Sequence, residues 1–207
     1  WDKAENALKS ALDKKKIDWT LNDGDGAFYG PKIDFSLKDS LNRVWQLGTI
    51  QLDFSMTQRL SATYINEKGD KENPVLIHRA ILGSLERFVG ILTEEYFGNF
   101  PLWLAPTQIM ILNISKSQEK FCIDLYQKFH KKLIRSKLDL RNEKISYKIR
   151  EHALKRVPYL AIIGEKEASS DTVSLRDRNG KDYGKLSIDE LIKKIDTIVI
   201  NKEKSLD

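Results

Sequence analysis

The sequence predicts two folds in succession: an α+β half built on an antiparallel sheet, then an α/β half with a mixed sheet and helices on both faces. Apolar and polar residues alternate through Ile33, Phe35 and Leu37 and again through Ile50, Leu52 and Phe54, with only a turn at Asp39–Asn42 between the two segments. That period and that short connection belong to antiparallel strands. From Gln108 onward, short apolar runs alternate with stretches of helical spacing, the order of a strand–helix layer. Between the halves lies GNFPLWLAP (Gly98–Pro106), rich in proline and large aromatics, and the domains are read as residues 1–102 and 103–207.

In the first half, Trp1–Lys16 has helical spacing at Trp1, Ala4, Leu8, Ala11 and Leu12 and ends in three lysines, which suit a helix C-terminus. Ile17–Leu21 reads as a short strand and Asn22–Gly26 as a loop. Strands follow over Ile33–Leu37 and Arg43–Phe54, a bent segment over Met56–Ala62, a short strand at Thr63–Ile65 and a polar turn over Asn66–Asn73. Val75–Ile77 is then an apolar strand, joined at Gly83-Ser84 to a helix with Leu85, Phe88, Val89, Leu92 and Tyr96 on one face.

In the second half, strands are expected at Ile109–Ile114, Leu138–Leu140 and Tyr159–Gly164, and a hairpin of Thr172–Asp177 with Asp182–Leu186 turns at Asn179-Gly180. Helices are expected over Ser115–Ser136, with Phe121, Leu125, Phe129 and Leu133 inward, over Lys144–Lys155, and over Ser187–Ile200. Asn201–Asp207 reads as a frayed end.

With 41% hydrophobic and 31% charged residues, the composition is that of a soluble globular protein; no apolar run is long enough to span a bilayer, and no signal-peptide pattern is present. The single cysteine, Cys122, excludes an internal disulfide, fits a reducing compartment and sits in an apolar helical pattern as core filler. The start at Trp1 suggests a piece of a longer protein. Residues 1–103 hold 13 basic against 15 acidic side chains, and residues 104–207 hold 22 against 15, so the basicity lies in the second half. Either a polyanionic partner or a solvated lysine-rich surface accounts for it.

Several residues carry chemistry. Ser84 suits a helix N-cap and places Arg87 in the first turn, where unpaired N–H groups and the helix dipole favour an anion; the alternative is an exposed arginine beside Glu86. Glycines 24, 26 and 30 permit close backbone approach at the strand entrance that offers Tyr29 and Lys32. Thr49 and Gln51 form the polar face of the second strand, with Gln46 on the opposite face by simple alternation. His78 is either a hydrogen-bonded structural histidine or a metal ligand. In the second half, Arg141, Asn142, Lys148, Arg150, Glu167 and Arg176 fall near strand ends or on one helix and supply hydrogen bonders and cations that a ligand could use; each alone could equally be a surface ion-pair partner.

A strand feeding a helix through G-x-x-x-R resembles motif 3 of the class II aminoacyl-tRNA synthetases, and HRAILGSLERF, with its histidine on the strand, resembles the threonyl-tRNA synthetase family. GDGAFYGPKID (Gly24–Asp34), WQLGTIQLDF (Trp45–Phe54) and DLRNEKISYKIRE (Asp139–Glu151) match the same family in its order, over nearly the whole chain. The resemblance implies part of a class II catalytic domain followed by an anticodon-binding domain. It implies that Arg87 contacts ATP, that Tyr29 and Lys32 line the amino-acid pocket, and that Gln46, Thr49 and Gln51 touch ATP and substrate, with Ser84 beside them. For Gln46 to join the face of Thr49 and Gln51 the strand needs a bulge, and one is predicted at Gly48. Arg87, Lys32 and Gln46 would be the catalytic set. His78 would be one of three zinc ligands, the other two not being in this chain, so that this piece is expected to bind zinc weakly or not at all. Asn142, Arg150, Glu167 and Arg176 would contact anticodon bases. The implied reaction joins threonine to tRNA(Thr) with ATP and Mg2+, in a cytoplasmic enzyme that is a homodimer at full length and has no membrane partner. Motifs 1 and 2 and the editing region are absent, so the chain by itself is predicted to be inactive. A non-catalytic RNA-binding or regulatory paralogue is the alternative, and the intact Arg87, Lys32 and Gln51 favour the enzyme.

Overall fold

The computed structural model describes residues 1–203, and the predicted fraying of the last residues falls largely outside them. The chain divides into two compact units, Trp1–Glu95 and Tyr96 onward.

The first unit opens with α1 (Asp2–Lys15), acidic in its first turn and lysine-rich in its last, which complements the helix dipole at both ends. Lys16 ends it in the left-handed region. No strand forms at Ile17–Leu21, contrary to the alternation: these residues find no neighbouring strand to pair with and remain exposed, and Trp19 Nε1 donates instead to Asp13 Oδ1 at 3.1 Å. An antiparallel sheet of order β1–β2–β5 follows, from β1 (Lys32–Lys38), β2 (Val44–Asp53) and β5 (Leu76–Ala80). Between β2 and β5 the chain makes the single turn of α2 (Met56–Arg59) and a small hairpin of β3 (Tyr64–Ile65) with β4 (Lys71–Glu72). α3 (Leu85–Glu95) closes the unit.

The β1–β2 turn is built around Asp39, whose carboxylate accepts from the backbone N–H of Leu41 and Arg43, from Arg43 Nε and from Trp45 Nε1. Burial pushes the Asp39 pKa up, but those hydrogen bonds, Trp45 and Arg43 foremost, outweigh it and hold the group well below the usual carboxylate range. The predicted bulge is present: Phe35 pairs with Gly48 and Ser36 with Gln46, leaving Leu47 as the extra residue. Few apolar side chains of this unit are buried, namely Ala4, Pro31, Leu47 and Ile91. The apolar face of α3 is only partly covered: Phe88, Leu92 and Tyr96 are half-buried, whereas Leu85 and Val89 are 63% and 58% exposed.

The second unit is an α/β layer. β6 (Ile109–Asn113) leads through a 3₁₀ turn at Lys116–Gln118 into α4 (Glu119–Lys131), then come β7 (Ser136–Asp139), α5 (Ile145–Leu154), β8 (Tyr159–Ile163), α6 (Glu165–Ser170), β9 (Thr172–Asp177), β10 (Asp182–Ser187) and α7 (Ile188–Asn201). The sheet order is β10–β9–β8–β6–β7, with β6 parallel to both β7 and β8 and the β8–β9 and β9–β10 pairs antiparallel. One face packs Ile109, Ile111, Ala161, Ile163, Val173 and Leu175 against α4 and α7; the other packs Met110, Leu112, Leu160 and Ile162 against Ile145 and Ile149 of α5.

The predicted helix Ser115–Ser136 is shorter at both ends. Ser115 and Gln118 form a capping box over the 3₁₀ turn, and Leu133, taken as core, is left-handed at φ 58 and 87% exposed after the helix has ended. α6 is too short to carry a period and was not anticipated. Its neighbour hairpin turns as expected, with Asp177 Oδ1 accepting from the N–H of Asn179 and Lys181 and with Gly180 at φ 92.

Candidate functional site

In the first unit the bulge decides which side chains meet. Lys32 pairs with Gln51 and Asp34 with Thr49, and on the other side of the bulge Ser36 pairs with Gln46. Cross-strand partners share a face, so the extra residue returns Gln46 to the side of Thr49 and Gln51. β5 extends the same face, with His78 opposite Gln51 and Ala80 opposite Thr49. A row of Lys32, Gln51 and His78 therefore crosses all three strands, and Gln46, Thr49 and Asp34 stand beside it.

These residues hold one another. The Tyr29 hydroxyl donates to Gln51 Oε1, and the Tyr29 ring lies 5.4 Å from that of His78. Tyr29 is placed by Gly30, where an added Cβ would come 1.9 Å from the Leu52 carbonyl oxygen. His78 Nε2 meets Oδ2 of the buried Asp53 at 2.9 Å, while Asp53 Oδ1 accepts from the backbone N–H of Ser55 and Met56. The contact with His78, then those N–H groups, bring the Asp53 pKa down to about 2. Lys32 Nζ lies 2.8 Å from Asp34 Oδ2 and 3.6 Å from Asp25 Oδ1, and the Asp34 bond is the main reason that its pKa is raised. It stays a cation at any physiological pH. The facing pair Asp34 Oδ1 and Thr49 Oγ1 are buried without a hydrogen-bond partner among the described groups, an acceptor and a donor left over on the same face.

The start of α3 adjoins the bulge. Gly83 packs over it at φ +62, with an added Cβ only 3.0 Å from the Leu47 carbonyl oxygen. Ser84 Oγ accepts from Arg87 N–H at 3.3 Å and donates to Glu86 Oε2 at 2.8 Å. Glu86 is thus turned toward Ser84, and the exposed Arg87 guanidinium lies 5.3 Å from the centre of the Trp45 ring instead of forming an ion pair with it. Arg43 takes the same ring at 5.5 Å and pairs with Asp39 and Glu94.

A cleft of about 780 Å³ opens between α1, the 17–27 loop and β1. Lys32 and Asp34 line it, but Tyr29, Gln46, Thr49, Gln51, His78 and Arg87 do not, so it is a neighbour of this face and not the face itself. Among the described residues no three histidine, cysteine, aspartate or glutamate side chains are grouped to hold a metal, and His78 alone does not make such a site.

In the second unit three of the four expected base contacts lie on or beside the α5 face of the sheet, and Glu167 lies on α6, whose Ala168 packs against the core on the other face. Asn142 is exposed in the β7–α5 loop and Arg150 is exposed on α5. Arg176 pairs with Leu160, a residue of the core under α5, and Lys185 pairs with Ser174 on that same face. Arg176 Nη2 meets Asp182 Oδ2 at 3.0 Å, while its Nε is buried without a hydrogen-bond partner among the described residues. Glu167 accepts from Gly164 N–H at 3.1 Å and pairs with Lys185 at 3.1 Å. Burial works against the Glu167 carboxylate, but Lys185 and the backbone donors prevail and its pKa is lowered.

The other two of the six residues are not available to a ligand in the way the sequence suggested. Arg141 is spent on Asp139 through Nε and Nη2, at 2.9 and 2.6 Å, and on Glu151 at 2.7 Å. Lys148 is 1% exposed, and its ammonium donates to Asn113 Oδ1, Asn113 O and Asp139 O at 2.8, 3.1 and 3.2 Å. Neither a strand end nor an exposed pattern marked Lys148 as internal; its position on the Ile145–Ile149 stripe of α5 was the available signal. Missed as well were Asp53, Trp45 and Asp139, the residues that hold His78, Arg87 and Arg141.

Comparison with known proteins agrees with this division. Residues 2–96 match the tRNA synthetase class II core domain (G, H, P, S and T) and residues 108–198 match the anticodon binding domain. These define a class II aminoacyl-tRNA synthetase core segment joined to an anticodon-binding module. The threonine–tRNA ligase of Prochlorococcus marinus (strain MIT 9211) is 56% identical over 206 residues, covering 100% of this chain and 32% of that protein. That of Methylococcus capsulatus is 59% identical over 194 residues, covering 94% and 30%. The crystal structure of the RNA binding domain of threonyl-tRNA synthetase from Cryptosporidium parvum Iowa II superposes with a TM-score of 0.84 at 40% identity, over 100% of this chain and 51% of that one. The chain belongs to the threonyl-tRNA synthetase family of class II enzymes, and it spans about a third of the length of the curated relatives it matches.

Proposed function

We propose that this chain supplies one side of the active site and the RNA-reading module of an enzyme that attaches threonine to tRNA(Thr). The observation that carries the reading is the bulge at Leu47, which brings Gln46, Thr49, Gln51, Lys32 and His78 to one face, with Tyr29 bonded to Gln51 and Arg87 held at the neighbouring helix start.

In the proposed reaction the carboxylate of threonine attacks the α-phosphorus of ATP and pyrophosphate leaves; a terminal ribose hydroxyl of the tRNA then attacks the acyl carbon of the adenylate, the acyl–phosphate bond breaks, AMP leaves and the hydroxyl proton is released. Such steps depend on positioning and on neutralising phosphate charge. Arg87, stacked and not ion-paired, is offered to the nucleotide; Lys32, kept protonated by Asp34, faces the substrate; Gln46, Thr49, Gln51 and Tyr29 provide neutral hydrogen bonds around both, and Ser84 fixes the helix start. Mg2+ would accompany ATP and neutralise its phosphates. His78, its Nε2 held by Asp53, is proposed as one ligand of a zinc site whose other ligands lie outside this chain. Asn142, Arg150, Glu167 and Arg176 are proposed to meet anticodon bases, within a module counted from residue 103. A homodimeric, cytoplasmic enzyme at full length completes the reading.

Threonine-dependent ATP–pyrophosphate exchange tests it. The full-length protein is expected to catalyse the exchange, and Arg87→Ala in it to lower kcat/KM for ATP by about 10²-fold or more, the loss seen when one charge-stabilising donor is removed. This chain alone is expected to show none. A full-length protein that binds tRNA yet lacks exchange would make it an RNA-binding paralogue instead.

A further inference from the structure

Lys148 is a lysine in the wrong place for a contact residue and the right place for another role. Its three N–H bonds all go to oxygens at the carboxyl ends of two adjacent parallel strands: Asn113 ends β6, and Asp139 ends β7. An ammonium is the side chain that can serve three acceptors converging on one point; a guanidinium is planar and too wide, and an amide has two donors. His152, one turn further along the same inner side of α5, reaches Asp139 Oδ2 at 2.7 Å. From the other direction Arg141 N–H and Nε bond Asp139 Oδ1 at 3.2 and 2.9 Å. The backbone at 139–141 is therefore clamped from α5 within and from its own arginine without, and Asn142 is the next residue. The exposed Arg150 leaves the same helix two residues after Lys148.

We propose that Lys148 is a positioning residue for RNA readout: without touching RNA, its buried ammonium ties the end of β7 to the end of β6 and so fixes the backbone from which Asn142 is presented. The proposal rests on the anticodon reading given above. It differs from a direct phosphate contact in what it predicts for salt. A lysine that neutralises a phosphate contributes nearly one unit to the slope of log affinity against log salt and serves every sequence alike, whereas a positioning residue governs base discrimination and leaves the slope unchanged.

The test uses this chain with two RNAs, the anticodon stem-loop of tRNA(Thr) and a copy with the anticodon bases replaced, titrated across a salt series. For Lys148→Met the ratio of the two affinities is expected to fall by about tenfold, the scale of one lost base contact, with the salt slope and the affinity for the altered RNA kept. Asn113→Ala, which removes one of the three acceptors, is expected to move the ratio the same way by less. Melting curves and amide exchange report whether unit 2 is folded in each variant. A folded Lys148→Met protein with its discrimination intact overturns the proposal, as does a parallel loss for both RNAs with a reduced slope. Unfolding of unit 2 in both variants also overturns it, since the network would then be an element of stability alone. Equal binding of the two RNAs by the unsubstituted chain would fail the anticodon reading itself, a separate result.

Discussion

Arg87 and Lys148 show what a single residue's surroundings add to its type. Both are cations on helices of high apolar content, yet one is exposed over an indole and the other is enclosed by three oxygens. The indole face attracts a guanidinium without neutralising it, so Arg87 keeps its charge for a partner. Asp53 is set by its neighbours in the same way. Its pKa is brought down to about 2 from an ordinary 3.8, so the folded state is favoured by this group above pH 4 and loses that contribution as pH falls through 2. Asp53→Asn is therefore expected to flatten the dependence of unit 1 stability on pH between 4 and 2; an unchanged acid-unfolding profile would contradict the pairing with His78. Cys122 is the opposite case, with burial pushing its thiol up to about 11. At pH 8 roughly one part in a thousand would be thiolate even if it were accessible. Iodoacetamide is expected to leave the native chain unlabelled by mass spectrometry and to label it readily in denaturant. Residue types and motif spacing made Arg87, Lys32, Gln51 and His78 legible in the sequence. The residues that fix them were less so: Asp34 lies on the same strand as Lys32 and was open to reading, but Trp45 and Asp53 reach Arg87 and His78 across the fold, where register and packing and not sequence neighbourhood decide the contact.

Elements were most legible where a local rule and a neighbour agreed. β1 and β2 alternate cleanly and pair with each other, and the bulge that aligns Gln46 with Thr49 was foreseen from parity together with the family resemblance that puts both residues at one site. Ile17–Leu21 alternates equally well and forms no strand, since alternation creates a preference that only a partner's backbone can satisfy. α4 ended early for a comparable reason: the period continues to Leu133, but Leu133 turns left-handed and the chain leaves for β7. The loop before β1 gives an element-scale prediction. Gly30 lies where a Cβ would overlap the Leu52 carbonyl, whereas Gly24 has open space and only a positive φ of 79. Gly30→Ala is expected to force the Tyr29 loop away from β2 and cost about 1–3 kcal/mol, and Gly24→Ala about 1 kcal/mol from backbone strain alone. Thermal unfolding of the two variants checks the order; equal costs would mean that the close approach is not a constraint.

At the scale of the whole molecule the two units differ in how much of their apolar surface they enclose. In the second, sixteen buried residues from Leu102 to Ile198 form one continuous core on one face of the sheet, and five more from Met110 to Ile162 form another. In the first, four apolar side chains, Ala4, Pro31, Leu47 and Ile91, are buried, and Phe35, Leu37, Ile77, Leu85 and Val89 remain in contact with water. Burial of apolar area is the main source of folding free energy, at roughly 25 cal/mol per Å², so the first unit must be the weaker as it stands here. The sequence hid this, because the apolar stripe of α3 reads the same whether or not anything covers it. The difference predicts where the chain opens. Local unfolding follows buried contact, and proteases act on segments that open. Limited proteolysis is expected to cut first within residues 56–73, where α2 and the small β3–β4 hairpin carry mostly exposed backbone, and to leave a resistant piece beginning near Tyr96. Amide exchange should give the same order, with β6 and β8 slowest because they occupy the middle of a sheet covered by helices on both faces, and β1, a sheet edge, among the fastest. Early cleavage inside 109–200, or protection of β1 equal to that of β6, would show that the first unit gains stability from something other than the contacts within it.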